Sequence, residues 1–115
     1  MWRVTLAGGK AEAKVWARGF TTIQGCGFGR DGAFYATEFQ VGGLDESPGA
    51  NPAGDVVRIN RHGHRTHLDV GKLFFPSGFA AGPGGAIYVS NCSIAPATGL
   101  GPQLCSTGGQ VVRIG

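Results

Sequence analysis

An all-β chain of short antiparallel strands is what this sequence predicts, and three observations predict it. Apolar residues make up 42% of the 115 positions but fall in short clusters, with no capped 3.6-residue period of the kind a helix needs. Glycine accounts for 22 residues and proline for 6, and they separate those clusters as turns separate strands. The third observation is a repeat. Asp31-Gly32-Ala33-Phe34-Tyr35-Ala36-Thr37-Glu38 aligns with Gly84-Gly85-Ala86-Ile87-Tyr88-Val89-Ser90-Asn91, and Gln24 to Gly29 aligns with Ser77 to Gly82. A unit of roughly 50 residues therefore recurs about twice, in a chain no longer than one ordinary domain.

Taken in order, Trp2 to Leu6 alternates as a strand does, Ala7-Gly8-Gly9-Lys10 supplies a turn, and Ala13 to Ala17 returns. Thr22 to Phe28 and Ala33 to Glu38 form the next pair, followed by an irregular stretch from Phe39 to Gly54. Val56 to Asn60, the turn Arg61 to His64 and the return strand Arg65 to Val70 repeat the opening pair, with Trp2-Arg3-Val4 aligned on Val57-Arg58-Ile59. Ser77 to Ala81, the turn Gly82-Pro83-Gly84-Gly85 and Ala86 to Ser90 repeat the second pair. A second irregular loop, Cys92 to Gly109, precedes Gln110 to Ile114, which aligns with Asp55 to Ile59. Lettering the strands of one unit a to d, the chain reads c-d, a-b-c-d, a-b-c. The end of one unit covers 1–18, a full unit 20–70 and most of a third 74–115.

The residues grade from small to polar across each unit. Gly25, Gly27, Ala80 and Ala81 sit in the a strands, and the d strand Arg65 to Val70 is largely polar. Four-stranded antiparallel units with small residues innermost describe propeller blades converging on an axis. The expected fold class is thus all-β, a β-propeller fragment of four-stranded antiparallel blades holding about two blades. The inner strands near Gly25 and Phe79 should lie side by side. Phe34, Tyr35, Ile87 and Tyr88, in b strands, would lack the neighbours that normally cover them, so the expected partners are the remaining propeller blades or further copies of the chain.

The run Pro76-Ser77-Gly78-Phe79-Ala80, continued by Gly85-Ala86-Ile87-Tyr88-Val89 and echoed by Gly54-Asp55-Val56-Val57-Arg58-Ile59, resembles NHL-type blades of six-bladed propellers. More narrowly it resembles the ScyD/ScyE family, named after proteins of the scytonemin biosynthetic cluster. The resemblance spans nearly the whole chain but only about two blades. It implies a non-catalytic binding or structural module, part of a longer exported protein, with an extracellular location. Gluconolactonase-type propellers share the architecture and bind a divalent metal near the central channel. The alternative implied is therefore a metal-dependent hydrolase of the lactonase kind, with a cation such as calcium held by Glu38 and Asn91, each at the end of a b strand. Otherwise no cofactor is expected, and the ligand is not specified.

Composition narrows the function further. Net charge is +3, with arginines scattered singly, so the dense basic stripe of a nucleic-acid binder is missing. No apolar run approaches the roughly 20 residues of a membrane-spanning helix. Met1 to Val4 has neither the basic start nor the apolar core of a signal peptide, so export would depend on a longer chain. Cys92 and Cys105 bracket the second irregular loop and are the disulfide candidates in an exported protein; in a reducing compartment they would be two free thiols.

Other polar groups read as structural. His62, His64 and His67 form an H-x-H-x2-H pattern that could ligate Zn²⁺ or Ni²⁺, but a polar turn at a sheet rim explains them better. Asp45, Glu46 and Asp55 lie in or beside the first loop and read as loop solubility. Gly25 to Gly29 has no helix after it to offer a phosphate site, and Cys26 carries no catalytic signature. Arg58 and Arg113 read as edge charges whose stems cover apolar surface. No residue is singled out as catalytic.

Overall fold

The computed structural model describes residues 1–114, and among them the chain is all-β and antiparallel. Strands β1 (Trp2–Ala7) and β2 (Lys10–Val15) form a hairpin. Strands β3 (Ile23–Phe28), β4 (Phe34–Glu38), β5 (Ala53–Ile59) and β6 (Arg65–Phe74) form a four-stranded sheet in chain order. Strands β7 (Phe79–Ala81), β8 (Ile87–Asn91) and β9 (Gln110–Ile114) form a three-stranded sheet. No helix among the described residues is long and apolar enough to cross a membrane.

Local chemistry sets the strand limits. Gly8 and Gly9, at φ 56° and 75°, make a two-residue turn with Ala7 opposite Lys10. The return strand consequently begins at Lys10 and ends at Val15, three residues before the expected start and two short of the expected end. Strand β6 likewise runs past Val70 to Phe74. It does so through an irregularity: Val56 pairs with Leu68 and Gly54 with Leu73, so residues 69–72 loop out opposite Asp55. The Gly82–Gly85 turn is closed by a single 3-10 turn, Pro83–Gly85.

Every residue of β4 is buried, because both faces of the four-stranded sheet are covered. On one face Phe34, Ala36, Val57 and Ile59 pack against Trp16, Ala17, Phe20 and Ile23. Trp16 and Phe20 meet the Phe34 ring edge-on, with centroids 5.0 and 6.4 Å away. On the other face Tyr35, Val56 and Leu73 pack against Ile87, Val89 and Ile114 of the third sheet. Fully burying aliphatic or aromatic side chains of this size contributes about 1.5–3 kcal/mol each, so β4 is where the fold's apolar stabilisation concentrates.

The inner strands of the second and third sheets approach closely. An atom in the Cβ position of Gly25 would lie 2.2 Å from the Ser77 carbonyl oxygen, and one on Gly27 would lie 2.7 Å from the Phe79 ring. Thr37 Oγ1 occupies this junction. It accepts from the Gly25 amide at 2.8 Å and donates to the Ser77 carbonyl at 2.6 Å, tying two sheets through one hydroxyl.

Where apolar surface stays bare differs from the expectation. Phe34, Tyr35 and Ile87 are buried within the chain, because the hairpin linker and the third sheet cover them. Exposed apolar strand residues include Trp2, Val4 and Leu6 of β1 and Val111 of β9 on the outer sheets, and also Phe28 of β3 and Val70 of β6 on the four-stranded sheet. Both long loops are internally tied. The buried Gln40 amide bridges Asp45 and Asn51 in the first, and a Cys92–Cys105 disulfide with Cα atoms 5.9 Å apart closes the second. Cys26 is a free, exposed thiol.

Candidate functional site

The polar cluster with the least ordinary environment lies on the hairpin-facing side of the four-stranded sheet, built by strand alternation. Glu38 ends β4, two residues beyond Ala36, and pairs directly with Asp55 on β5. Asp55 stands two residues before Val57, whose partner on β6 is His67. Side chains two apart along a strand share a face, and directly paired residues share it too. Glu38, Asp55 and His67 are therefore brought to one spot, and one ligand-type atom from each falls within 4.8 Å of the others.

Burial makes the cluster unusual. Glu38 is 4% exposed and Asp55 2%, whereas the His67 side chain is 45% exposed. Asp55 Oδ2 lies 2.6 Å from His67 Nδ1, and Glu38 Oε1 accepts from the Thr21 amide at 2.6 Å. Asp55 Oδ1 is buried with no hydrogen-bond partner among the described residues. Burial pushes the Glu38 carboxyl above its ordinary range, and the Asp55 charge beside it pushes the same way; the Thr21 amide and His67 pull against them.

That shift fixes a pH dependence. A raised pKa means that the folded chain holds the Glu38 proton more tightly than the unfolded chain does. Its contribution to stability is then fully present below the ordinary value of 4.5 and is lost as pH rises through the raised folded value. Glu38→Gln carries a neutral side chain of the same shape. In the presence of EDTA it should be at least as stable as the wild type at pH 7, with the gap closing as pH falls toward 4.5. Urea melts at both pH values measure this, and a variant weaker than wild type at neutral pH contradicts it.

The structure separates the residues singled out in the sequence. Asn91 ends β8, where its Oδ1 accepts from the Phe74 amide at 2.8 Å and its amide nitrogen reaches Gln110 at 3.5 Å. Glu38 thus stands with Asp55 and His67, and the Asn91 amide serves the backbone where β6 ends. His62 and His64 are exposed in the β5–β6 turn, apart from this cluster. Asp55, read as a loop acid, is a buried strand residue.

Asp31, Tyr35 and Arg58 form a second network that sequence reasoning did not single out. Arg58 pairs with Asp31 at 2.7 Å, the Tyr35 hydroxyl donates to Asp31 at 3.0 Å, and the guanidinium lies over the Tyr35 ring. The Arg58 hydrogen bond holds the Asp31 carboxyl below its usual range. The available signal was register: Tyr35 lies directly opposite Arg58 across β4 and β5. Every group there is partnered, so it reads as a brace.

A groove of about 700 Å³ runs between the hairpin and the four-stranded sheet and is lined by Arg3, Trp16, Phe28, Phe34, Arg61 and Arg65. It lies at the Ile59 end of β5, whereas the carboxylate–imidazole cluster lies at the Asp55 end. Comparison of the chain with protein-family models, with curated proteins and with solved structures gives no match.

Proposed function

We propose that the chain is a segment of a ScyD/ScyE-like β-propeller, acting as a non-catalytic binding or structural module of an exported protein. The observation that supports this best is the packing of the four-stranded sheet on the three-stranded one, with β3 and β7 side by side at their inner edges. A blade packs both faces against neighbours, and only the four-stranded sheet has both faces covered here. The bare Trp2, Val4 and Leu6 on one side and Val111 on the other mark the faces that further blades or further copies would cover. The Cys92–Cys105 disulfide fits an oxidising compartment.

Sedimentation at several concentrations tests the reading. The expected result is self-association that grows with concentration, because the chain edges at β1 and β9 each have a strand partner on one side only among the described residues. A compact monomer that melts cooperatively at low micromolar concentration would overturn it. The alternative, a lactonase-type hydrolase with a divalent cation on Glu38 and Asn91, receives less support, since Asn91 is already hydrogen-bonded to Phe74 and Gln110.

A further inference from the structure

We propose that Glu38, Asp55 and His67 form a binding site for a divalent cation of the zinc class, set between the four-stranded sheet and the Thr21 segment that covers it. The inference concerns these three side chains alone and does not depend on the propeller reading.

Three features carry it. The donors come from three adjacent strands, β4, β5 and β6, whose pairing fixes them on one face before any ligand arrives. Such preorganisation avoids the ordering cost that a site built on loops would incur. The second feature is the unpartnered oxygen. A buried carboxylate oxygen without a donor is costly, and Asp55 Oδ1 is in that position with a second buried carboxyl, Glu38, directly opposite. A cation beside both carboxylates would neutralise them together and give the orphan oxygen a partner. The third feature is access, because the half-exposed imidazole of His67 opens the cluster to solvent.

The donor set selects the metal class. Two carboxylates and one imidazole supply oxygen and nitrogen in the combination found at zinc sites, with the remaining position left to water. Calcium prefers six to eight oxygen ligands and has little use for an imidazole. Thr21 contributes from outside the ligand set: its amide holds Glu38 Oε1 at 2.6 Å, the kind of supporting hydrogen bond that orients a ligating carboxylate. Bound metal would tie β4, β5 and β6 at the end of the sheet where the 69–72 irregularity interrupts the β5–β6 ladder.

The competing account is that the His67 Nδ1 contact with Asp55 Oδ2 at 2.6 Å already satisfies the cluster, leaving nothing for a cation to do. A zinc titration of the full chain, stripped with EDTA and dialysed at neutral pH, separates the two. Calorimetry should show one equivalent bound, and bound zinc should raise the melting temperature. His67→Gln removes a half-exposed ligand without opening the core and should weaken binding by at least about 100-fold, beyond what loss of a supporting hydrogen bond costs. Glu38→Gln should weaken it as well, and a His62→Asn/His64→Asn double variant should bind like the wild type. No binding to the wild-type chain overturns the proposal. So does binding that survives His67→Gln, and so does binding that disappears with His62 and His64.

Discussion

Gly25→Ala should destabilise the chain by about 3 kcal/mol, the upper end for an overpacked interior. The added methyl group would lie 2.2 Å from the Ser77 carbonyl oxygen and 3.2 Å from the Phe79 amide nitrogen, both backbone atoms. No side chain can rotate away to relieve such a contact, so β3 and β7 must separate. Separation also stretches the Thr37 hydroxyl bond to the Ser77 carbonyl, a part-buried oxygen that then loses a partner. A domain's whole stability is about 5–15 kcal/mol, so the variant should melt much earlier or fail to accumulate. Gly42→Ala is the matching control. It has open space around the added atom and should stay within about 0.5 kcal/mol of wild type. Denaturant melts of the two variants decide it, and equal midpoints would mean that the two inner strands do not touch.

Removal of the Cys92–Cys105 disulfide should cost a comparable amount, about 3 kcal/mol, as expected for closing a loop of this length. The two cysteines are 13 residues apart in sequence and both are buried. The cost should fall mainly on the loop, which is anchored at its start by the Cys92 amide on the Phe74 carbonyl and the Ser93 hydroxyl on the Phe75 carbonyl. A Cys92→Ser/Cys105→Ser variant should therefore become sensitive to protease between residues 93 and 109 before the rest of the chain unfolds. Thiol counting on the denatured wild type provides the companion measurement. One thiol, from Cys26, should react before reduction and three after it; three at the outset would show that the bridge does not form.

Much of the strand layout was legible because turns and alternation are local. The glycine pair at Gly8-Gly9, the small residues at Gly25 and Gly27, and the apolar run Ile87 to Val89 each constrain only their neighbours, and the structure places strands there. The propeller assignment itself goes further than the antiparallel sheets and remains a proposal. The cluster was less legible. Glu38 attracted attention by its position at a strand end, but its companions depend on register across three strands, and register is not a local property. Asp55 resembled a loop acid because the irregularity opposite it, residues 69–72, cannot be read from spacing alone. His67 was hidden in the wrong company, since His62 and His64 are close in sequence but belong to the turn. The bare faces were misassigned for the same reason. Phe34 is covered by Phe20 and by Trp16, a residue of the expected return strand that lies in the linker beyond its end at Val15.

The Thr37 hydroxyl has a consequence for how the molecule comes apart. One side chain on β4 holds backbone groups of β3 and of the segment leading into β7, so peeling the third sheet away breaks this bond together with the apolar core the two sheets share. The hairpin β1–β2 has no such pin; all twelve of its strand residues are exposed, and its flanks, Met1 and the linker after Val15, carry the packing. The boundary between cooperative folding units therefore falls after the hairpin and not between the two larger sheets. Hydrogen exchange should therefore open residues 16–114 as one unit, with the hairpin opening earlier.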